Sequence, residues 1–137
     1  MISSNQQHTL KGEISFEGIG LHSGVHSKMT LAPGEANSGY VFVLTDMEGL
    51  PEIPGLVANV CETRRGTTLK VGEAMVHTTE HVLAALYASG IDNARLFIDG
   101  PEVPILDVSA MPFVEGIDSV CGKKLDAPRK FFKVRKN

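Results

Sequence analysis

The order of periodicities along this 137-residue chain predicts an α+β fold, a two-layer sandwich of a mostly antiparallel sheet with two helices on one face. Two observations carry that expectation. Short apolar stretches with a period of two fill the first 77 residues, whereas helical spacing occurs only over residues 79–89 and 109–120. The order is therefore many strands, a helix, a strand, a helix and a strand, which favours helices gathered on one side of a sheet.

The elements follow in order. Residues 9–19 read as one bent extended segment with Leu10, Ile14, Phe16 and Ile19 as its apolar side chains. Val25, Ser27, Met29 and Leu31 alternate with His26, Lys28 and Thr30, the pattern of a half-buried strand. Residues 33–39 hold Pro, Gly and Asn and read as a turn, residues 40–44 as a buried strand, and residues 46–54 as a Gly- and Pro-containing loop. Residues 56–60 are a candidate short strand, and residues 67–71 and 74–77 pair as a hairpin about Gly72-Glu73. Thr78 or Thr79 caps a helix that runs to Ser89, with Gly90 at its left-handed stop. Val82, Leu83, Ala85, Leu86 and Ser89 form its inner face. Residues 93–98 are a strand and Asp99-Gly100-Pro101 turns the chain. Asp107 or Ser109 caps the second helix, Pro112 is tolerated in its first turn, and Phe113, Val114, Ile117 and Val120 are its stripe. Residues 131–134 close the fold as a strand.

Composition narrows the function. The length suits a single domain spanning residues 1–137, and 42% hydrophobic with 21% charged residues is ordinary for a soluble protein. A net charge of −3 gives no reason to expect nucleic acid, and the basic pairs near the C-terminus read as solvated ends. No stretch approaches the ~20 apolar residues of a transmembrane segment. The N-terminus has no apolar signal core, and Cys61 and Cys121 are isolated, so they read as free, buried thiols of a cytoplasmic protein.

The segment His77-Thr78-Thr79-Glu80-His81 looks most like chemistry, because a proton acceptor and an imidazole open an apolar helix. Read literally it is the H-x-x-E-H pattern of inverted zinc proteases, which needs His77 and His81 on one helix. Residues 74–76 look extended, which sets His77 ahead of the helix and argues against that reading. Glu80 and His81 alone point about 100° apart and can address two sides of one reacting centre. Thr63, Arg64, Arg65, Gly66 and Thr67 form a polar loop whose arginines suit phosphate, although an exposed loop accounts for them as well. The glycines of Gly18-Ile19-Gly20-Leu21-His22-Ser23-Gly24 suit a bulged bend between strands rather than a dinucleotide site.

These segments in this order resemble the N-terminal half of the bacterial zinc-dependent UDP-3-O-acyl-N-acetylglucosamine deacetylases. The likeness rests on residues 18–24, on Ala32-Pro33 with Asn37-Ser38-Gly39, and on residues 63–67. It continues through Thr79-Glu80-His81, Ala84-Ala85-Leu86, Gly90-Ile91-Asp92-Asn93, residues 100–107, Ser109-Ala110 and Pro112-Phe113-Val114. The resemblance implies a hydrolase of lipid A biosynthesis that removes acetate from a glucosamine nitrogen, built of two similar α+β domains with the site between them. It implies that Glu80 is the general base, that His81 is a zinc ligand, and that His22 and residues 63–67 lie at the mouth where a nucleotide-sugar lipid binds. The family's other zinc ligands come from a His-x-x-x-Asp motif in its second domain, and this sequence has none. The resemblance also expects glycine at Val108 and usually serine at His77, so His77, like His22, is a possible accessory metal ligand.

A catalytic zinc site needs three protein ligands and an open position. The expectation is a first domain that is inactive alone, with an exposed face made for a second domain or for self-association. A non-catalytic module binding a nucleotide sugar or a partner is the alternative, and the inverted protease a further one.

Overall fold

The computed structural model describes residues 5–131 and residue 133. Its strands are β1 (Gln6–Leu10), β2 (Ile14–Ile19), β3 (His26–Pro33), β4 (Tyr40–Leu44), β5 (Glu52–Pro54), β6 (Val60–Glu62), β7 (Thr68–Val71), β8 (Ala74–Val76), β9 (Ala94–Ile98) and β10 (Gly122–Pro128). The helices are α1 (Glu80–Ala88) and α2 (Met111–Val120). A five-stranded sheet runs β2-β3-β9-β4-β5, with only the β4–β9 pair parallel. The hairpin β7–β8 extends through β6 into a three-stranded sheet, and β1 pairs with β10. The chain is thus an α+β sandwich, as the sequence predicts.

The core forms where the period-two and period-3.6 patterns meet. Met29 and Leu31 of β3, Phe42 of β4 and Leu96 and Ile98 of β9 are buried against Val82, Ala85 and Leu86 of α1 and Phe113 and Ile117 of α2. Phe16 meets Phe113 edge to face, with ring centroids 4.9 Å apart. At the opposite margin, Asn93 donates to Gln7 Oε1 (2.9 Å) and accepts the Gly39 N–H (2.9 Å), while the Thr9 hydroxyl donates to the Asn93 carbonyl (2.7 Å). This buried set fastens β1 to the large sheet, since buried amides must find partners.

Several local expectations fail for physical reasons. Residues 9–19 are not one bent strand, because the chain turns at residues 11–13 and sends β1 and β2 into different sheets. The loop over residues 46–54 contains β5, an edge strand in which Pro54 is tolerated for want of an outer neighbour. Residues 56–60 begin instead with a 3-10 turn (Val57–Asn59) that leaves Val57 90% exposed. Thr79 occupies the N-cap position of α1 without capping by its side chain, and Thr78 lies outside the helix at φ +59°. Gly90 does take a left-handed stop at φ +77°. The second helix starts at Met111 after Ala110, not at Asp107 or Ser109; Ser109 Oγ accepts the Met111 N–H at 3.2 Å. The last strand is β10 rather than residues 131–134, of which 132 and 134 lie outside the described residues. Cys61 and Cys121 are free but exposed, not buried.

Val108 stands at φ +74° and is 60% exposed. A β-branched residue is strained there by roughly 1–2 kcal/mol, and little packing compensates it. Val108→Gly is expected to stabilise the chain by about 1 kcal/mol, read as a higher denaturant midpoint with unchanged slope.

Candidate active site

The site is built where β8 hands the chain to α1. The His77 N–H donates to the Pro101 carbonyl (2.9 Å) and its carbonyl accepts the Val103 N–H (3.1 Å), so residues 101–103 run alongside as a parallel bridge. That register drives Glu102 beneath the junction, where it is wholly buried. Its carboxylate accepts the Thr78 hydroxyl (2.5 Å), the Ser23 N–H (2.7 Å) and the His22 N–H (3.1 and 3.2 Å). Burial alone would push this carboxyl up; the bonds from Thr78, Ser23 and His22 outweigh it and hold Glu102 below the usual carboxylate range.

The turn over residues 20–24 closes directly on Glu102. A Cβ at Gly20 would stand 2.2 Å from Glu102 Oε1 and 2.5 Å from Ser23 Oγ. Gly20→Ala is therefore expected to destabilise by about 2–3 kcal/mol, measured by urea denaturation, because the backbone cannot back away without breaking the Ser23 bond.

Glu80 is the first residue of α1 and is half-buried. Both its carboxylate oxygens lie 3.3 Å from the Thr67 nitrogen, whose N–H donates to them. A Cβ at Gly66 would sit 3.0 Å from Glu80 Oε2, so the loop approaches this closely because residue 66 lacks one, and its φ of +153° also suits glycine. The Thr67 carbonyl accepts the Thr79 N–H and the Thr79 hydroxyl, each at 3.1 Å. A single residue of the loop is thus fastened to two consecutive residues of the helix start, where a carboxylate is also favoured by the helix dipole. His81, also half-buried, follows on the same turn.

A cleft of about 440 Å³ opens here, lined among others by His22, Arg64, Arg65, Gly66, His77 and Glu102. The structure therefore gathers His22, His77, Arg64, Arg65 and Gly66 at one cleft, with Glu80 behind Gly66, while Thr63, Thr67, Glu80 and His81 are not among the lining residues. Thr63 and Arg64 give their N–H groups to the Glu62 carboxylate (3.0 and 2.9 Å), which leaves both side chains exposed. Glu102, Ser23 and Thr78 are the residues that reasoning from sequence missed. The available signal was an acid set between apolar residues 103–106 and the turn at residues 99–101, a place where a carboxylate is seldom left unpaired.

The histidines lining the cleft are already hydrogen-bonded and do not by themselves make a metal site. His22 Nε2 stands 2.6 Å from the Arg65 carbonyl, an acceptor, so Nε2 carries the proton and is not a free ligand. His77 Nδ1 bonds the Thr68 hydroxyl at 2.9 Å. Among the described residues no three His, Cys, Asp or Glu groups come together as a metal site. The inverted-protease geometry is also missing, since His77 sits in the β-bridge and only His81 lies on α1.

Comparison with known proteins bears on the family. Residues 7–137 match the model of the family described as LpxC, UDP-3-O-acyl N-acetylglycosamine deacetylase. The chain is 49% identical over 125 residues to the bifunctional enzyme LpxC/FabZ of Chlorobaculum tepidum, covering 91% of this chain and 27% of that protein. It is 48% identical over 130 residues to the UDP-3-O-acyl-N-acetylglucosamine deacetylase of Geotalea uraniireducens, covering 95% of this chain and 42% of that one. Over 115 residues it is 50% identical to the Trichormus variabilis deacetylase, covering 84% and 41%. The chain therefore spans well under half the length of these relatives. With a family match spanning residues 7–137, this chain belongs to the LpxC family of UDP-3-O-acyl N-acetylglycosamine deacetylases.

Proposed function

We propose that this chain is the first domain of a zinc-dependent amidohydrolase that deacetylates UDP-3-O-acyl-N-acetylglucosamine in lipid A biosynthesis. The observation that carries the reading is the Glu80 carboxylate, held by the Thr67 N–H at the edge of a cleft in a chain of this family. Glu80 takes the proton of the attacking water and returns it to the leaving nitrogen. His81 contributes one ligand to zinc, and the remaining ligands come from a second domain. Zinc, when bound, acidifies water and polarises the amide carbonyl. Arg64 and Arg65, exposed at the mouth, suit the diphosphate of the nucleotide sugar, with Thr63, Gly66 and Thr67 shaping the loop that presents them.

The second domain or a second copy covers the helical layer, whose outer side exposes Tyr87 (81%) and Met111 (55%). Among the described residues no helix is long and apolar enough to cross a membrane. Two free, exposed thiols suit a reducing compartment, and we assign the protein to the cytoplasm.

The test mixes the purified chain with zinc and substrate and measures acetate. The chain alone is expected to release none, and adding the separately produced second domain of the Geotalea relative is expected to restore turnover. Turnover by the chain alone overturns the division of ligands. No turnover from the pair, where the intact relative is active, overturns the deacetylase reading.

A further inference from the structure

Thr78 is 3% exposed and carries a branched side chain at φ +59°, a conformation such residues avoid. Its hydroxyl donates to Glu102, which holds the residue in place. The next two residues grip the loop: Thr79 by its N–H and hydroxyl on the Thr67 carbonyl, and Glu80 by accepting the Thr67 N–H. A second route reaches the same loop. Glu102 accepts the His22 and Ser23 N–H groups, and the His22 ring donates to the Arg65 carbonyl, one residue before Gly66. The loop is thus held from the helix side and from the turn side, and both routes lead to one buried side chain.

We infer that Glu102 and Thr78 are positioning residues for Glu80, Glu102 locking the left-handed Thr78 so that the helix starts with the Glu80 carboxylate against the Thr67 N–H. This rests on the reading of Glu80 as the base, but the geometry is measurable without zinc or substrate. The kink at Thr78 sets the direction in which α1 departs from β8. Without the hydroxyl, the strained conformation loses its side-chain anchor, residue 78 relaxes toward an ordinary one, and the first turn rotates away from the loop.

Nuclear magnetic resonance on this chain tests it. Thr78→Val removes the hydroxyl at nearly constant volume. Relative to the core amides of β9, its Thr67 amide is expected to exchange about tenfold faster, one hydrogen bond's worth of protection. The nuclear Overhauser contact between the Thr67 amide and the Glu80 side chain is expected to vanish, and Thr78→Ser to restore both signals. If Thr78→Val does not fold, Thr78→Ala is read instead, since alanine lacks the hydroxyl and, unlike glycine, is still strained at a φ of +59°. A merely structural role would speed exchange at Thr67 and β9 by the same factor. That result, or a folded Thr78→Val or Thr78→Ala variant with wild-type exchange and contact at Thr67, overturns the assignment. Failure of the acetate test with these signals behaving as expected would sink the deacetylase reading and leave the positioning intact.

Discussion

Replacing Glu102 by alanine is expected to destabilise the chain by about 3–5 kcal/mol, a large share of the 5–15 kcal/mol typical of a domain. Three donors lose their acceptor at once: the Thr78 hydroxyl and the N–H groups of His22 and Ser23. A stranded buried donor costs about 1–3 kcal/mol, and water entering the vacated space relieves part of the sum. Guanidinium denaturation of the two proteins measures it, and a midpoint within error of wild type would show that the carboxylate holds nothing. The difference also depends on pH with a definite sign. Glu102 titrates lower in the folded chain than an ordinary carboxyl, so its contribution is complete above the unfolded value of about 4.3 and is lost as pH falls through the lower folded value. The gap between wild type and Glu102→Ala should therefore be widest near neutrality and narrow below about pH 4.

Glu80→Gln in the assembled two-domain enzyme is expected to lower kcat by about a hundred- to ten-thousand-fold, the usual contribution of a positioned general base. The amide oxygen still accepts the Thr67 N–H, so the loop, KM and zinc content should be little changed. Acetate release at saturating substrate, read beside zinc content, separates loss of a proton acceptor from loss of the metal. Retention of more than a tenth of the wild-type kcat would remove Glu80 from the proton transfer.

The layers of the sandwich were legible because they depend on periodicity. The alternation of Ser27, Met29 and Leu31 with Lys28 and Thr30 survives in the structure as buried against exposed or half-buried positions, and the stripe of α2 faces the core as its spacing implies. Boundaries were less legible, since they are set by partners distant in sequence. The start of α1 follows from Thr67 and Glu102 rather than from a local cap, and β10 exists because β1 offers it an edge. The residues of the candidate site were named through family resemblance, which singled out Glu80 and the loop before it. The link between them was not. A buried carboxylate joined to a strained threonine 24 positions away leaves no local pattern to read.

The pairing of β1 with β10 bears on how the chain responds to force. The two strands are antiparallel with Gln6 beside Pro128, so the first and last strands begin and end at the same margin. Tension applied across the two ends would therefore pull the ladder open like a zipper, its hydrogen bonds yielding one after another instead of sharing the load in shear. Each bond resists with only about 1 kcal/mol, so the first mechanical event should be a soft peeling of these outer ribbons. The helical sandwich and the cleft beside Glu80 would stay closed until the buried Asn93 amide lets go of Gln7.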